Sequence, residues 1–210
     1  MRRALVKATG ALCLAVVLCL PGTVIGGEPV TSCSELGLRF AYGASNRGHV
    51  DIFSFQPRWG TYLIRPGSPL LARCGLSFVV EGTISITDSP QVIRLAKRNG
   101  HFHPTSEYDG GTGSELGIAP LLKLDVPLTP SVLIFLEGGA GVILENIDSP
   151  AIPHTLNFSP QAGAGFEFKL MPRLGAVVAY RFRHVSNCGL YDANPAFNVH
   201  FMQTGLTYRY

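Results

Sequence analysis

Charge is scarce in this sequence. Asp, Glu, Lys and Arg make up only 15% of the 210 residues, and the formal net charge is +3. A chain this apolar is not disordered, and no basic run points to nucleic acid. Long apolar runs are equally scarce. Beyond the N-terminal segment no stretch of about eighteen apolar residues occurs, which excludes a helical membrane span. The few cysteines, Cys13, Cys19, Cys33, Cys74 and Cys188, do not have the spacing of a zinc site, and nothing in the sequence calls for a metal or a cofactor.

The N-terminus reads as a secretory signal over residues 1–26. Arg2, Arg3 and Lys7 form a positive region, Leu12 to Leu20 an apolar core, and Val24 and Gly26 a small-residue exit. Cys13 and Cys19 would leave with it. Leu18 stands directly before Cys19, where a lipoprotein site wants a small residue. Residues 27–210 are then one exported domain. An exported compartment permits disulfides. Cys33 and Cys74 could be bridged at one end of the domain or remain free thiols, and both readings stay open.

What the mature sequence has in abundance is alternation. Leu36, Leu38, Phe40 and Tyr42 oppose Gly37, Arg39 and Ala41. Leu76, Phe78, Val80, Ile84 and Ile86 oppose Ser77, Glu81, Thr83 and Ser85. Similar segments centre on Val50 to Gln56, Leu116 to Val126, Val132 to Val142, Ala162 to Phe168, Val178 to Ser186 and Met202 to Tyr210. Period two is the signature of a strand with unlike faces. About eight segments of roughly ten residues fit an eight-stranded antiparallel transmembrane β-barrel.

Alternation alone leaves open which face points out. Export, long apolar faces and the aromatic C-terminus favour lipid outside. Arg39, Glu81, Lys123, Asp125, Glu137, Glu167, Lys169, Arg181 and Arg183 would then face a lumen just wide enough for side chains, where they pair and plug. The rival is a soluble exported barrel that holds a small lipid, with Phe78 and Leu122 inside. Pro120 falls within its segment, where it removes a ladder hydrogen bond that a bulge could absorb. Asp88 to Gly113 reads as a long polar loop. Pro127 to Pro130 and Leu170 to Arg173 read as tight turns. The connection from Arg58 to Gly75 is longer than a turn needs, unless the second strand pair is longer than it looks.

The chemistry concentrates near the C-terminus, in Tyr180-Arg181-Phe182-Arg183-His184-Val185-Ser186-Asn187-Cys188-Gly189. His184 and Ser186 are two residues apart and share a strand face. An imidazole beside a hydroxyl is the first requirement of an activated serine. Loop lengths put the pair at the external rim. His200, on the face of Asn198, either supports Asn198 from behind or simply sits at the membrane interface. His101 and His103 read as solvated. Arg94, Lys97 and Arg98 either meet lipid phosphates or form a solvated basic loop.

His184-Val185-Ser186-Asn187-Cys188-Gly189, followed by Asn194-Pro195, resembles the lipid A 3-O-deacylases of the PagL type. The resemblance implies an outer-membrane serine esterase of a Gram-negative cell. It would remove the 3-O-linked acyl chain of lipid A, with its site toward the outer leaflet. Its partners would be lipopolysaccharide and membrane lipid, with no nucleic acid and no cofactor; a homodimer is allowed. By the same resemblance Ser186 is the nucleophile and His184 the general base, while Asn187, Gly189 and Asn194 serve the oxyanion or hold the loop. The family pattern has an acid fourteen positions after the histidine. Here that position is Asn198, which can orient the imidazole but lacks charge. Asp192 is a nearby substitute, and Cys188 replaces a small alanine-like residue. The alternatives are a catalytically impaired relative, or a barrel with a structural or adhesive role.

Overall fold

The computed structural model describes residues 34–45, 50–66, 68, 70–71, 74–98, 101–146, 156–190 and 196–210, with only the backbone described over 89–98 and 101–110. The expected signal segment and Cys33 lie outside these residues. Eight strands follow in chain order: β1 (Ser34–Ser45), β2 (Asp51–Ile64), β3 (Gly75–Arg98), β4 (His101–Thr129), β5 (Val132–Asn146), β6 (Leu156–Met171), β7 (Leu174–Val185) and β8 (Phe197–Arg209). Each pairs antiparallel with its neighbour, and β1 pairs with β8 to close the barrel. Tyr210 N–H donates to Ser34 O at 3.1 Å, so the described ends of the chain meet at the seam.

The two faces resolve what alternation left open. Ile86 is 63% exposed and Leu122 52%, whereas Glu81 and Arg181 are at most 1% exposed. Grease faces out and charge faces in, as expected, and the soluble barrel with Leu122 inside is excluded. An apolar outer surface is stable only against hydrocarbon. A closed antiparallel ladder leaves no backbone donor unpaired there.

The charged residues fill the lumen in layers. Glu137 takes Arg39 and Arg58, each at 2.7 Å, and also Arg181; Arg181 forks back to Glu81. Nearer the turn end Lys123 lies 3.1 Å from Glu35 and 3.2 Å from Asp125, and Arg209 meets Glu167. Toward the loop end Arg183 donates to Glu115 at 2.8 Å, and Asn157 donates to Glu145 at 2.8 Å. Above them an apolar cluster that includes Ile52, Ile143, Val185, Val199 and Phe201 caps the interior. Lys169, expected in the network, is only half-buried near the turn end. Glu35, Arg58, Glu115, Glu145 and Arg209 complete it.

Two expectations need correction, on Asp88 to Gly113 and on Pro120. The stretch from Asp88 to Gly113 is not a polar loop: β3 and β4 stay paired from Gly75↔Asp125 to Arg98↔His101, which makes a hairpin that extends past the rest of the barrel. The side chains of Arg94, Lys97, Arg98, His101 and His103 lie outside the described residues. The connection from Arg58 to Gly75 is shortened by the longer strand pair, because β2 runs to Ile64, which leaves residues 65–74 between β2 and β3. Pro120 causes no bulge. The β4–β5 pairs pass from Ile118↔Val142 to Leu121↔Gly139 in constant register. Proline offers no N–H to this edge, and the glycines opposite let the strands close up instead. A Cβ on Gly139 would sit 2.1 Å from Pro120 O.

Breaking a buried ion cluster by removing one partner leaves uncompensated charge, at a cost of about 3–5 kcal/mol. Glu137→Gln strands three arginines. Its urea midpoint for unfolding from lipid vesicles should fall accordingly. A midpoint equal to wild type would mean that the barrel does not depend on this cluster.

Candidate active site at the loop end

β7 delivers the site. Its lumen-facing residues are Arg181, Arg183 and Val185, all at most 2% exposed. Phe182, His184 and Ser186 therefore emerge on the outer wall. Ser186 is the last paired residue of this edge. It exchanges two backbone bonds with Phe158 of β6, at 2.7 and 3.1 Å. Sequence patterning gave no hint of this bridge, because it lies beyond the regular strand.

The fourteen-residue spacing has a structural cause. His184 and Asn198 are direct cross-strand partners in the β7–β8 ladder, and such partners bring their side chains into contact. His184 Nδ1 lies 2.7 Å from Asn198 Oδ1. With Oδ1 as acceptor, the imidazole proton sits on Nδ1. Nε2 then keeps its lone pair, the tautomer a general base requires.

Beyond Ser186 the chain turns sharply. Leu190 N–H donates to Asn187 O at 3.0 Å. The two residues between, Cys188 at φ 53° and Gly189 at φ 78°, both have positive φ, the signature of a type I′ turn. The Asn187 side chain is buried, and its Oδ1 accepts the Gly189 N–H at 2.9 Å. In this arrangement Asn187 holds the loop, and the Gly189 N–H is committed within it. Cys188 is exposed and free. Cys74 is free as well, while Cys33 lies outside the described residues. Asp192, Asn194 and Pro195 also lie outside them.

His184 and Ser186 share the outer face, yet among the described residues no hydrogen bond joins them. Ser186 Oγ rests 3.7 Å from Cys188 Sγ instead. Catalytic hydrogen bonds are often unformed without substrate. One strand step along the wall from Asn198, His200 Nδ1 lies 2.6 Å from Tyr180 Oη, and its ring packs edge-on against Phe182. Among the described residues no group of three or more His, Cys, Asp and Glu side chains could hold a metal ion.

The family model described as lipid A 3-O-deacylase (PagL) matches residues 91–207, more than half of the chain and every candidate site residue. No curated protein matches the sequence. Among solved structures, the barrel is similar to the crystal structure of the outer membrane enzyme PagL. The two share 19% identity at a TM-score of 0.58, over 80% of this chain and 97% of that one. It is also similar to Neisserial surface protein A (NspA), with 12% identity and a TM-score of 0.53, over 84% of this chain and 96% of that one. These two likenesses establish an eight-stranded outer-membrane barrel fold.

A side chain at positive φ costs roughly 1–2 kcal/mol, and Asn tolerates that region best after glycine. Cys188→Asn should therefore unfold at a higher urea concentration than wild type, and the β-branched Cys188→Val at a lower one. Identical midpoints for the three proteins would show that the turn carries no strain.

Proposed function

The chain belongs to the lipid A 3-O-deacylase family, and on that premise we propose that it is an outer-membrane serine esterase that removes the 3-O-linked acyl chain from lipid A of lipopolysaccharide. The observation that carries this reading is the His184–Asn198 hydrogen bond on the outer wall of β7 and β8, two residues from an outward serine. A catalytic pair on a lipid-facing surface suits a substrate that is itself a membrane lipid. The site lies at the end opposite the tight turns. In barrels of this architecture long connections face the exterior, so the pair works at the outer leaflet.

The chemistry runs through this chain's own groups. Ser186 Oγ rotates from Cys188 Sγ toward His184 Nε2, which accepts its proton as Oγ attacks the ester carbonyl. The tetrahedral oxyanion needs aimed donors; with Asn187 and the Gly189 N–H engaged in the turn, Asn194 is the remaining candidate for that role. His184 then protonates the leaving sugar oxygen. Water, deprotonated in turn by His184, releases the fatty acid from Ser186.

Asn198 is the departure. Its Oδ1 keeps the imidazole in the productive tautomer, but a neutral amide cannot offset the imidazolium charge that forms during the reaction. Replacing the acid of a serine protease by Asn costs ~10⁴-fold in kcat, largely through the wrong tautomer. With Asn198 Oδ1 as the acceptor, the productive tautomer is kept and the charge contribution is what the site lacks.

Two measurements check the reading. Ser186→Ala should abolish release of the 3-linked chain, seen by mass spectrometry of lipid A, while the barrel still folds; continued release would remove Ser186 from the nucleophile's role. Asn198→Asp should raise kcat by about an order of magnitude or more. If it does not, and Asp192→Ala is inactive, the orienting role belongs to Asp192.

A further inference from the structure

The hairpin that β3 and β4 make past the barrel sorts its charges between two faces, and its register alone shows this. On β3 the apolar outer wall runs up to Ile84 and Ile86, both exposed. Pairing continues in constant register from Ile86↔Ser114 to Arg94↔Ser106, so the even-numbered residues of β3 keep the outer face. Val92↔Tyr108 and Arg94↔Ser106 lie on it. The register slips by one residue at Thr105, and Ala96↔His103 and Arg98↔His101 then carry the same face to the tip. The opposite face has Gln91↔Asp109, Ile93↔Glu107, Leu95↔Pro104 and Lys97↔Phe102.

Both acids of this extension, Glu107 and Asp109, therefore fall on the inner face, close to the barrel. The outer face has Arg94, Arg98, His101 and His103 and no acid from Val92 round to Tyr108. Inside the barrel Arg39, Arg58, Lys123, Arg181, Arg183 and Arg209 each face a lumenal carboxylate. The hairpin cations are placed otherwise, on a two-stranded ribbon with no further strand beside it.

Height narrows the choice of ligand. From Asp88 to Arg98 the strand runs roughly 33 Å at ~3.3 Å per residue. The headgroup layer is only about 5–8 Å deep on each side of the hydrocarbon, so even a tilted hairpin carries its tip well beyond the lipid phosphates. What stands there, against the outer face of a barrel in this leaflet, is the saccharide of neighbouring lipopolysaccharide, with its own phosphate and carboxylate groups. Guanidinium matches such groups bidentately. The closed strand order sets β3 and β4 four strands from β7 and β8, across the barrel from Ser186. The molecule met here is thus a second lipopolysaccharide, separate from the one at the serine.

We propose that the outer face of the β3–β4 hairpin, where Arg94, Arg98, His101 and His103 are brought into register, binds the anionic core saccharide of a neighbouring lipopolysaccharide and anchors the barrel in that leaflet. This uses the outward placement of the loop end and takes nothing from the esterase reading.

The test uses the whole barrel in phosphatidylcholine nanodiscs. The probe is the phosphorylated core oligosaccharide of lipopolysaccharide, freed of lipid A and fluorescently labelled, and binding is read by anisotropy. Binding should saturate and weaken as salt is raised. Arg94→Gln with Arg98→Gln removes both outer-face charges and should raise Kd by about tenfold or more. Lys97→Gln, on the inner face, should change it by less than about threefold. The same oligosaccharide after phosphatase treatment should bind more weakly. Absence of saturable binding, an unchanged Kd in the double variant, or equal affinity for the dephosphorylated probe overturns the site. Tighter binding of a sulfated polysaccharide than of the core would assign the face to another cell's surface and overturn it as well. No arm reads cleavage, so a failure of the esterase reading leaves this result standing.

Discussion

Hydrocarbon offers no hydrogen-bond partner, and nearly everything in this molecule follows from that. The backbone must pair with itself along the whole wall, so the sheet has to close from β1 to β8. Closure around so few strands leaves an interior only as wide as side chains. Every residue must then choose between lipid and a crowded lumen, and strict alternation is the outcome. The lumen takes charge because charge cannot go outside. Buried carboxylates and guanidiniums are tolerated because they are paired, with Glu137 at the centre among Arg39, Arg58 and Arg181.

The site uses this division. Arg183, Val185 and Asn187 are held inside, by Glu115, by the apolar cap and by the turn. Their burial forces His184 and Ser186 onto the outer wall with no further device. The ladder does the rest: the β7–β8 register makes His184 and Asn198 immediate neighbours. A membrane lipid need not enter a cavity to reach them.

Strain and imperfect pairing gather where function is expected. Cys188 takes a left-handed conformation beside the serine, and Ser186 Oγ contacts its sulfur in place of the imidazole. The family's acid is an amide here. It keeps the geometry of the pair while lowering its electrostatic support. A deacylase built this way would be restrained, held in a productive tautomer but short of one charge.

Period-two alternation was legible in the chain because lipid and lumen impose opposite demands on successive residues. It determined the strand-built wall, the set of charges that share one face, such as Arg39, Glu81 and Arg181, and the shared face of His184 and Ser186. The spacing to Asn198 was legible too, as a number without a cause. Only the tertiary structure decided which face met lipid, since alternation is blind to sign. Only it carried β3 and β4 on through the polar stretch after Asp88, where cross-strand hydrogen bonds outweigh composition. It alone paired Pro120 with a glycine-rich edge and joined Ser186 to Phe158. These contacts depend on register between strands far apart in sequence, and register is fixed by barrel closure, which no local pattern contains.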